Sequence, residues 1–467
     1  MKKIIIVGLC AMWCYFSAVA QQVYSLAQLK DSALVHNVAI HKAHFGIEQA
    51  EEQRKEAFTN FFPQVAAVGA WFNANRGMAR MEVKPKELLP EYFQSALNQL
   101  QPVLQEVLPP EAIAALGSPL GMSMMKNGTI AGVTAVQPLF AGGQIVNGNR
   151  LARLGEDVSR LQLRLSEREV EQQVEHYYWQ MVTLQEKQKT LAAARQMLDT
   201  IHRDVSLAVQ AGLILRNDLL QVELRQNELE SQRLKLDNGL GLLEMLIAQY
   251  CGIATDMSAD SSGHKQGFVL EAPDFLTVPA VLPHAPQAYD EALSALPEYQ
   301  LLQRQVDAAV LQRKMELGKN LPCVAIGAGY NYHNLMDNNR TFGMVFATVS
   351  VPLSGWWGGA HAVKRRTLAV RRAREELENN AELLAIGRKK AWNDVQEAFS
   401  QCTIARRSIC QAEENLRVQR DGYNAGTITI GDLLQAQLLA QQAHDGLTEA
   451  RANYELCKLA YRQASGE

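Results

Sequence analysis

The sequence predicts an α+β membrane protein made of two structural repeats. Four short strands per chain enter a barrel shared between chains, and very long helices pack side by side. Three observations predict it. The chain repeats itself at a fixed offset, its apolar pattern switches from helical to strand period in each half, and its longest helical stretches carry a 3.5-residue apolar repeat.

The repeat is direct. Ala211-Gly212-Leu213-Ile214-Leu215-Arg216-Asn217-Asp218-Leu219-Leu220-Gln221 returns as Ala425-Gly426-Thr427-Ile428-Thr429-Ile430-Gly431-Asp432-Leu433-Leu434-Gln435, an offset of 214. Pro138-Leu139-Phe140 returns as Pro352-Leu353-Ser354 at the same offset. A period this long exceeds that of solenoid repeats and marks a duplicated half, as in transport proteins built from structural repeats.

The chain's address comes from its first residues. Met1-Lys2-Lys3 is a basic start, Ile4 to Phe16 an apolar core too short for a membrane span, and Ala18-Val19-Ala20 a small-x-small cleavage box. This predicts a signal peptide over 1–20. The five cysteines beyond it, Cys251, Cys323, Cys402, Cys410 and Cys457, are odd in number and scattered, so they read as packing residues. A net charge of −3, with no basic run interleaved with aromatics, gives nucleic acid no foothold.

A helical pattern runs from Ser25 to about Thr59. Strands are predicted over about 64–75 and 129–137 in the first half and about 323–332 and 342–351 in the second. Along the third, Val324, Ile326, Ala328, Tyr330 and Tyr332 face one way, and Cys323, Ala325, Gly327, Gly329 and Asn331 the other. Apolar residues on one face and small or polar ones on the other, over about ten residues, is the pattern of a membrane β-barrel strand. It also fits a half-buried strand of a soluble sheet. Four strands are too few to close a barrel, which takes about eight, so membrane-crossing strands require several chains.

Long helices are predicted over about 145–210 and 214–250, and again over about 360–424 and 431–462, with a further helix from Pro286 to Gly318. Val170, Val174, Tyr177, Met181, Leu184, Leu191, Ala194, Leu198, Ile201 and Val205 step largely by threes and fours, as do Leu447, Ala450, Tyr454, Cys457 and Tyr461. More than sixty helical residues at ~1.5 Å each reach about 95 Å, beyond any ordinary domain diameter. Residues 78–127, rich in proline and methionine, read as an inserted loop with one or two short helices. Residues 252–285 read as the linker between a first repeat at 21–251 and a second at 286–467.

Strand pair, glycine-containing turn, helix, break and helix, all twice behind a signal peptide, resembles the TolC family of outer-membrane efflux proteins over about Val23 to Arg462. The residues that carry the likeness are Val136-Gln137-Pro138-Leu139-Phe140-Ala141-Gly142-Gly143, its partner Val351-Pro352-Leu353-Ser354-Gly355-Trp356-Trp357-Gly358-Gly359, and Tyr423-Asn424-Ala425-Gly426-Thr427 followed by Asp432-Leu433-Leu434. The resemblance implies a homotrimer with a twelve-stranded barrel in outer-membrane lipid, continued by a coiled-coil tunnel in the periplasm. It implies a periplasmic adaptor and an inner-membrane pump as partners.

No catalytic, cofactor or metal site is predicted. There is no His-Glu-x-x-His, no phosphate-binding glycine loop and no Cys-x-x-Cys, and His36, His41 and His44 read as solvated helix-face residues. Asp432 carries two compatible readings. Thr429 and Asp432 fit a capping box, and the resemblance implies that three copies of Asp432 constrict the tunnel's periplasmic end. The family's second acidic position here is Gln435, and a basic position is taken by Ile428, so the charge ring is thinner. Asp218 and Tyr423 match the remaining gate positions, with a bond from the Tyr423 hydroxyl to the Asp218 carboxylate as the expected latch. Pro138 and Pro352 are expected to end strand pairing, and Gly142, Gly143, Gly358 and Gly359 to form the strand-to-helix turns. Trp71, Trp356 and Trp357 suit either a membrane-interface belt or ordinary packing. The function implied is a passive exit duct. The alternative is a secreted coiled-coil scaffold or adhesin without a pore, which has no use for the strands; a hydrolase has no catalytic constellation behind it.

Overall fold

A computed structural model describes residues 23–75, 79–83, 120–124, 127–253, 269–270, 293–334, 339–353 and 355–466. The expected signal peptide, most of the 78–127 insertion and most of the 252–285 linker lie outside these residues. The chain forms two compact units, one of Glu52–Ala152 and Ala309–Ala369, the other of Met1–Glu51, Arg153–Ala308 and Val370–Glu467. Among the described residues, no helix is long and apolar enough to cross a membrane.

In chain order the elements are β1 (Val23–Tyr24), α1 (Leu26–His36), α2 (Val38–Thr59), β2 (Gln64–Asn73), β3 (Ala79–Val83), β4 (Leu120–Met124), β5 (Asn127–Ala141), α3 (Gln144–Gln210), α4 (Arg216–Cys251), β6 (Val269–Leu270), α5 (Pro297–Gly318), β7 (Cys323–Asn334), β8 (Asn339–Ser350), α6 (Gly355–Asn424) and α7 (Ile430–Ser465).

The unit of Glu52–Ala152 and Ala309–Ala369 is built on one antiparallel sheet of order β2-β5-β7-β8. The two strands of each half pair with each other, and β5 and β7 join the halves. The register sets two faces. Val65, Ala67, Gly69 and Trp71 share one with Ala131, Val133 and Ala135, with Ile326, Ala328, Tyr330 and Tyr332, and with Val345, Ala347 and Val349. The other face is mixed: Thr134, Asn331, His333, Arg340, Thr348 and Ser350 lie on it with Val68, Ile130, Val136 and Met344 and with small and aromatic residues. Among the described residues, strands β2 and β8 are the edges, and each has one strand beside it.

Several expectations change here. Pro138 does not end pairing. It lies inside β5, opposite Ala325, and the ladder shifts register between Pro138 and Phe140 before continuing to Ala141. Strand β2 begins only opposite Val136, so Pro138 sits where β5 has a free edge and its missing N–H leaves no partner short. Pro352 does lie beyond β8, which ends at Ser350. Gly358 and Gly359 do not make the second strand-to-helix turn, because α6 already starts at Gly355. Gly359 instead admits the Asn320 side chain, with which a Cβ would collide. Gly142 and Gly143 do make the first turn, with φ of 60° and 74°, and a Cβ on Gly142 would strike the Gly318 carbonyl. Part of the insertion, expected as loop and short helices, forms an antiparallel two-stranded sheet of β3 with β4, Met81 opposite Met122.

In the other unit, the predicted coiled-coil seam is buried. Val170, Val174, Met181, Leu191, Ala194, Leu198, Ile201 and Val205 of α3 are all in the core, with Tyr177 and Leu184 packed at its margin. Helix α6 contributes Val395, Ala398 and Cys402 against Tyr454 and Tyr461 of α7. Cys251 and Cys402 are buried and behave as small apolar residues; burial pushes the Cys251 thiol up to about 11. Cys410 is exposed.

The helix expected over Ser25–Thr59 is two helices. Asn37, extended at φ −69° and ψ 133°, separates them. Its Oδ1 accepts from the Ala39 amide at 2.8 Å and its Nδ2 donates to the Tyr250 carbonyl at 3.2 Å. A side chain that bonds the backbone two residues on competes with helical hydrogen bonding, which is why the chain breaks at this asparagine. Helix α1 then docks on α3 and α4 through Leu29 and Ala33. The dock is fastened by Lys30, whose Nζ lies 2.9 Å from Glu175 Oε1, and by Ser32, which donates to the Cys251 carbonyl at 2.7 Å.

Glu175 is buried and Lys30 only partly so. Removing the lysine alone strands a carboxylate, so Lys30→Ala is expected to cost about 2 kcal/mol. The double variant K30A/E175Q should recover most of that loss, as read from denaturation midpoints by circular dichroism.

Candidate functional site

The two helix junctions that the sequence repeats are built alike. In each, the outgoing helix closes on a glycine with φ 72°, Gly212 or Gly426. The Leu213 amide donates to the Ala208 carbonyl at 2.9 Å, and the Thr427 amide to the Gly422 carbonyl at 3.0 Å. Gly212 and Gly426 donate to the carbonyls three residues back, Val209 and Tyr423. This left-handed helix stop satisfies carbonyls that the helix end would leave bare, and it accounts for the Ala-Gly pair in both copies.

The junctions differ in what starts the next helix. Thr429 caps α7: its Oγ1 accepts from the Asp432 amide at 3.3 Å and donates to Asp432 Oδ2 at 2.6 Å, and its own amide donates to the same oxygen at 3.3 Å. The expected capping box is present. Leu215, the equivalent residue before α4, caps nothing, and Asp218 stands in that first turn without a capping partner. Leu213 and Leu215 are 77% and 74% exposed, where the second copy has two threonines.

Beneath both junctions lies one apolar cluster. Leu198, Ile201 and Val205 of α3 meet Val222 and Leu229 of α4 and Ile430, Leu433 and Leu434 of α7, with Tyr423 packed on its edge. Three of the four expected gate residues have charged or polar ends at the rim. Asp432 and Gln435 are exposed, on successive turns of α7, and Asp218 is half-buried. Tyr423 is also half-buried; burial raises its phenol above the usual range, and the negative charges of Asp218 and then Asp204 raise it further. The expected hydrogen bond from Tyr423 to Asp218 is not formed. The ring is committed to packing on the cluster, and the carboxylate acts on it only through its charge.

Asp204 was not predicted. It stands on α3 before the break, and only the folding back of α6 and α7 brings its charge to Tyr423, so nothing local in the sequence marks it. A polar layer shared by α4 and α7 was missed for the same reason. Arg225 donates to Glu228 at 2.8 Å and to Gln441 at 3.4 Å, and buried Gln437 lies on the same stretch of α7. Among the described residues, no group of His, Cys, Asp and Glu is placed to hold a metal.

Two outcomes check this geometry. Thr429→Ala should cost about 1 kcal/mol by removing the cap, whereas Leu215→Ala removes no cap, a contrast readable by denaturation. Asp218→Asn should lower the alkaline titration of Tyr423 toward 10, seen by ultraviolet difference absorbance against Tyr423→Phe. Because the folded state holds this phenol above its unfolded value, its stabilising contribution is present below about pH 10 and is lost as pH rises through the raised value.

Comparison with known proteins agrees with this architecture. Residues 288–467 match the model of the outer membrane efflux protein family. Outer membrane protein TolC of Vibrio cholerae is 26% identical over 155 residues, a stretch that is 32% of this chain and only 35% of that protein. The outer membrane protein VceC of Vibrio cholerae superposes with a TM-score of 0.68 at 15% identity, covering 94% of this chain and 96% of its own. The CmeC outer membrane channel of Campylobacter jejuni superposes with a TM-score of 0.69 at 14% identity, covering 94% and 85%. Residues 288–467 are thus similar to the outer membrane efflux protein family, and nearly all of the chain has the fold of these outer-membrane channels.

Proposed function

We propose that the protein is the exit duct of a tripartite efflux or type I secretion system. In this reading it is a homotrimer that passes substrate without expending energy, from a periplasmic adaptor and an inner-membrane pump to the exterior. The observation that carries the reading is the four-stranded sheet with one apolar face and two open edges. In hydrocarbon an unpaired edge leaves backbone groups unsatisfied at several kcal/mol each, so the edges of β2 and β8 call for pairing with further copies. Three chains supply twelve strands, enough to close a barrel around a channel. A secreted scaffold without a pore has no need of such a sheet. Trp71 on the apolar face and exposed Trp357 suit the belt at the lipid surface.

The gate in this reading is the pair of helix junctions, with Asp432 and Gln435 facing their symmetry copies and Asp218 and Tyr423 behind them. Like charges drawn together by threefold symmetry attract cations and oppose their own ionisation. Capping and gating by Asp432 separate cleanly. Asp432→Asn removes the charge, whereas Thr429→Ala removes the cap and keeps the charge. If Asp432 gates, only the first should change single-channel conductance in a planar bilayer.

The duct itself is tested by detergent extraction from outer membranes and a heat-modifiable trimer on a gel. Protein that stays soluble and never partitions with membranes would sink the proposal.

A further inference from the structure

The charge on the four-stranded sheet is one-sided. Strands β2, β5, β7 and β8 contain no Asp or Glu, and Arg340 is their only Lys or Arg. Arg340 pairs in register with His333, the only histidine in these strands, so both lie on the same face. That face also holds Asn331 opposite Phe342 and Gly329 opposite Met344, with Thr134 across from Gly329 on β5. The opposite face is apolar along the same rows, from Val65, Ala135, Ala328 and Val345 to Ala67, Val133, Tyr330 and Gly343.

Two consequences follow. A charged side chain is disfavoured on the lipid face, most at the midplane and least at the strand ends, and the face opposite Arg340 and His333 carries Val65, Trp71, Val133 and Val345, so the face with Arg340 and His333 is the lumen. The row His333–Arg340 is one step from the end of the β7–β8 ladder, which closes at Asn334 opposite Asn339. Tyr332 donates to Asn339 at 3.1 Å and ties the strand ends together at this level. The wall there is narrow in side-chain bulk. Gly132 and Gly329 lie on this face, and the Phe346 ring lies over Gly327, where a Cβ would collide with it, so that ring covers the sheet. Arg340 is exposed and makes no hydrogen bond or ion pair among the described residues. Asp337, between β7 and β8 in sequence, is the nearest acid in the chain and lies outside the described residues.

We infer that Arg340 forms a basic ring inside the barrel at the β7–β8 end and biases that part of the duct toward anionic solutes. The inference rests on the duct reading above. A ring of fixed positive charge in a pore raises the local concentration of anions and repels cations, which is how Arg and Lys rings select in channels generally. The solutes favoured are small anions and amphiphiles with a carboxylate, sulfate or phosphate group.

The test is the reversal potential of the purified full-length protein in a planar bilayer under a potassium chloride gradient. Arg340→Glu should raise the cation-to-anion permeability ratio by about twofold or more, with Arg340→Gln intermediate and Arg340→Lys close to the parent. The shift should shrink as ionic strength rises and screening shortens the range of the charge. Arg340→Gln keeps a polar side chain of similar reach and provides the reading where the glutamate variant fails to assemble. A conducting channel whose ratio is the same in parent, Arg340→Gln and Arg340→Glu overturns the basic ring and leaves the duct standing. A parent protein that forms no channel at all overturns the duct itself.

Discussion

Backbone hydrogen bonding at the two edges of the β2-β5-β7-β8 sheet is the constraint on which the rest depends. The interior ladders are complete: β5 is paired on both sides along most of its length and β7 along all of it, with a single register shift at Pro138. The edges are not, and they carry Val65, Val68, Val345 and Val349 at high exposure. Long, apolar, unprotected edges are an aggregation hazard in water. Natural proteins retain them where something pairs with them. The absence of acids, the small residues and the single basic row are all intelligible once the sheet is taken as one segment of a closed wall.

The helical unit answers a different requirement. Helices of 67 and 70 residues, about 100 Å each at ~1.5 Å per residue, cannot be held by one compact core. They are held instead by a chain of local clusters along the seam. One is around α1 with α3 and α4, one lies beneath the two junctions, and one sits between α6 and α7. The junctions are stopped by the same glycine geometry and started differently, by a threonine–aspartate box in one and by a bare leucine in the other. Two similar hairpins are thereby given unequal stability at the point where they meet the same apolar cluster.

Much of this was legible in the sequence because it is written in local periods. The seam from Val170 to Val205 follows from a 3.5-residue repeat, which packing rewards wherever it occurs. The Thr429–Asp432 box needs only four consecutive residues. The strand faces follow from period two, and β7 shows it most clearly. What was not legible depends on partners distant in the chain. Pro138 reads as a strand end because proline cannot donate, yet β2 stops short of it and the donor is not missed. Gly359 reads as a turn residue, yet its lack of a side chain serves Asn320. Asn37 reads as one more polar residue on a helix until its bonds to Ala39 and Tyr250 are seen. At the candidate site, Asp432 announced its cap, while Asp204 beside Tyr423 and the Arg225 layer exist only through tertiary pairing.

The contact of Gly142 with Gly318 bears on how a duplicated chain ages. Gly142 follows the last strand of the first copy, and Gly318 ends the helix that leads into the first strand of the second. Their backbones approach so closely that a methyl group on either would collide with the other's carbonyl. Neither glycine has a glycine as its counterpart in the other copy: Trp356 stands opposite Gly142, and Thr59, which ends the helix before β2, stands opposite Gly318. The lock was therefore made between the copies and is absent within either one. A chain built of two copies of either half would put Trp356 or Thr59 where this contact needs a glycine.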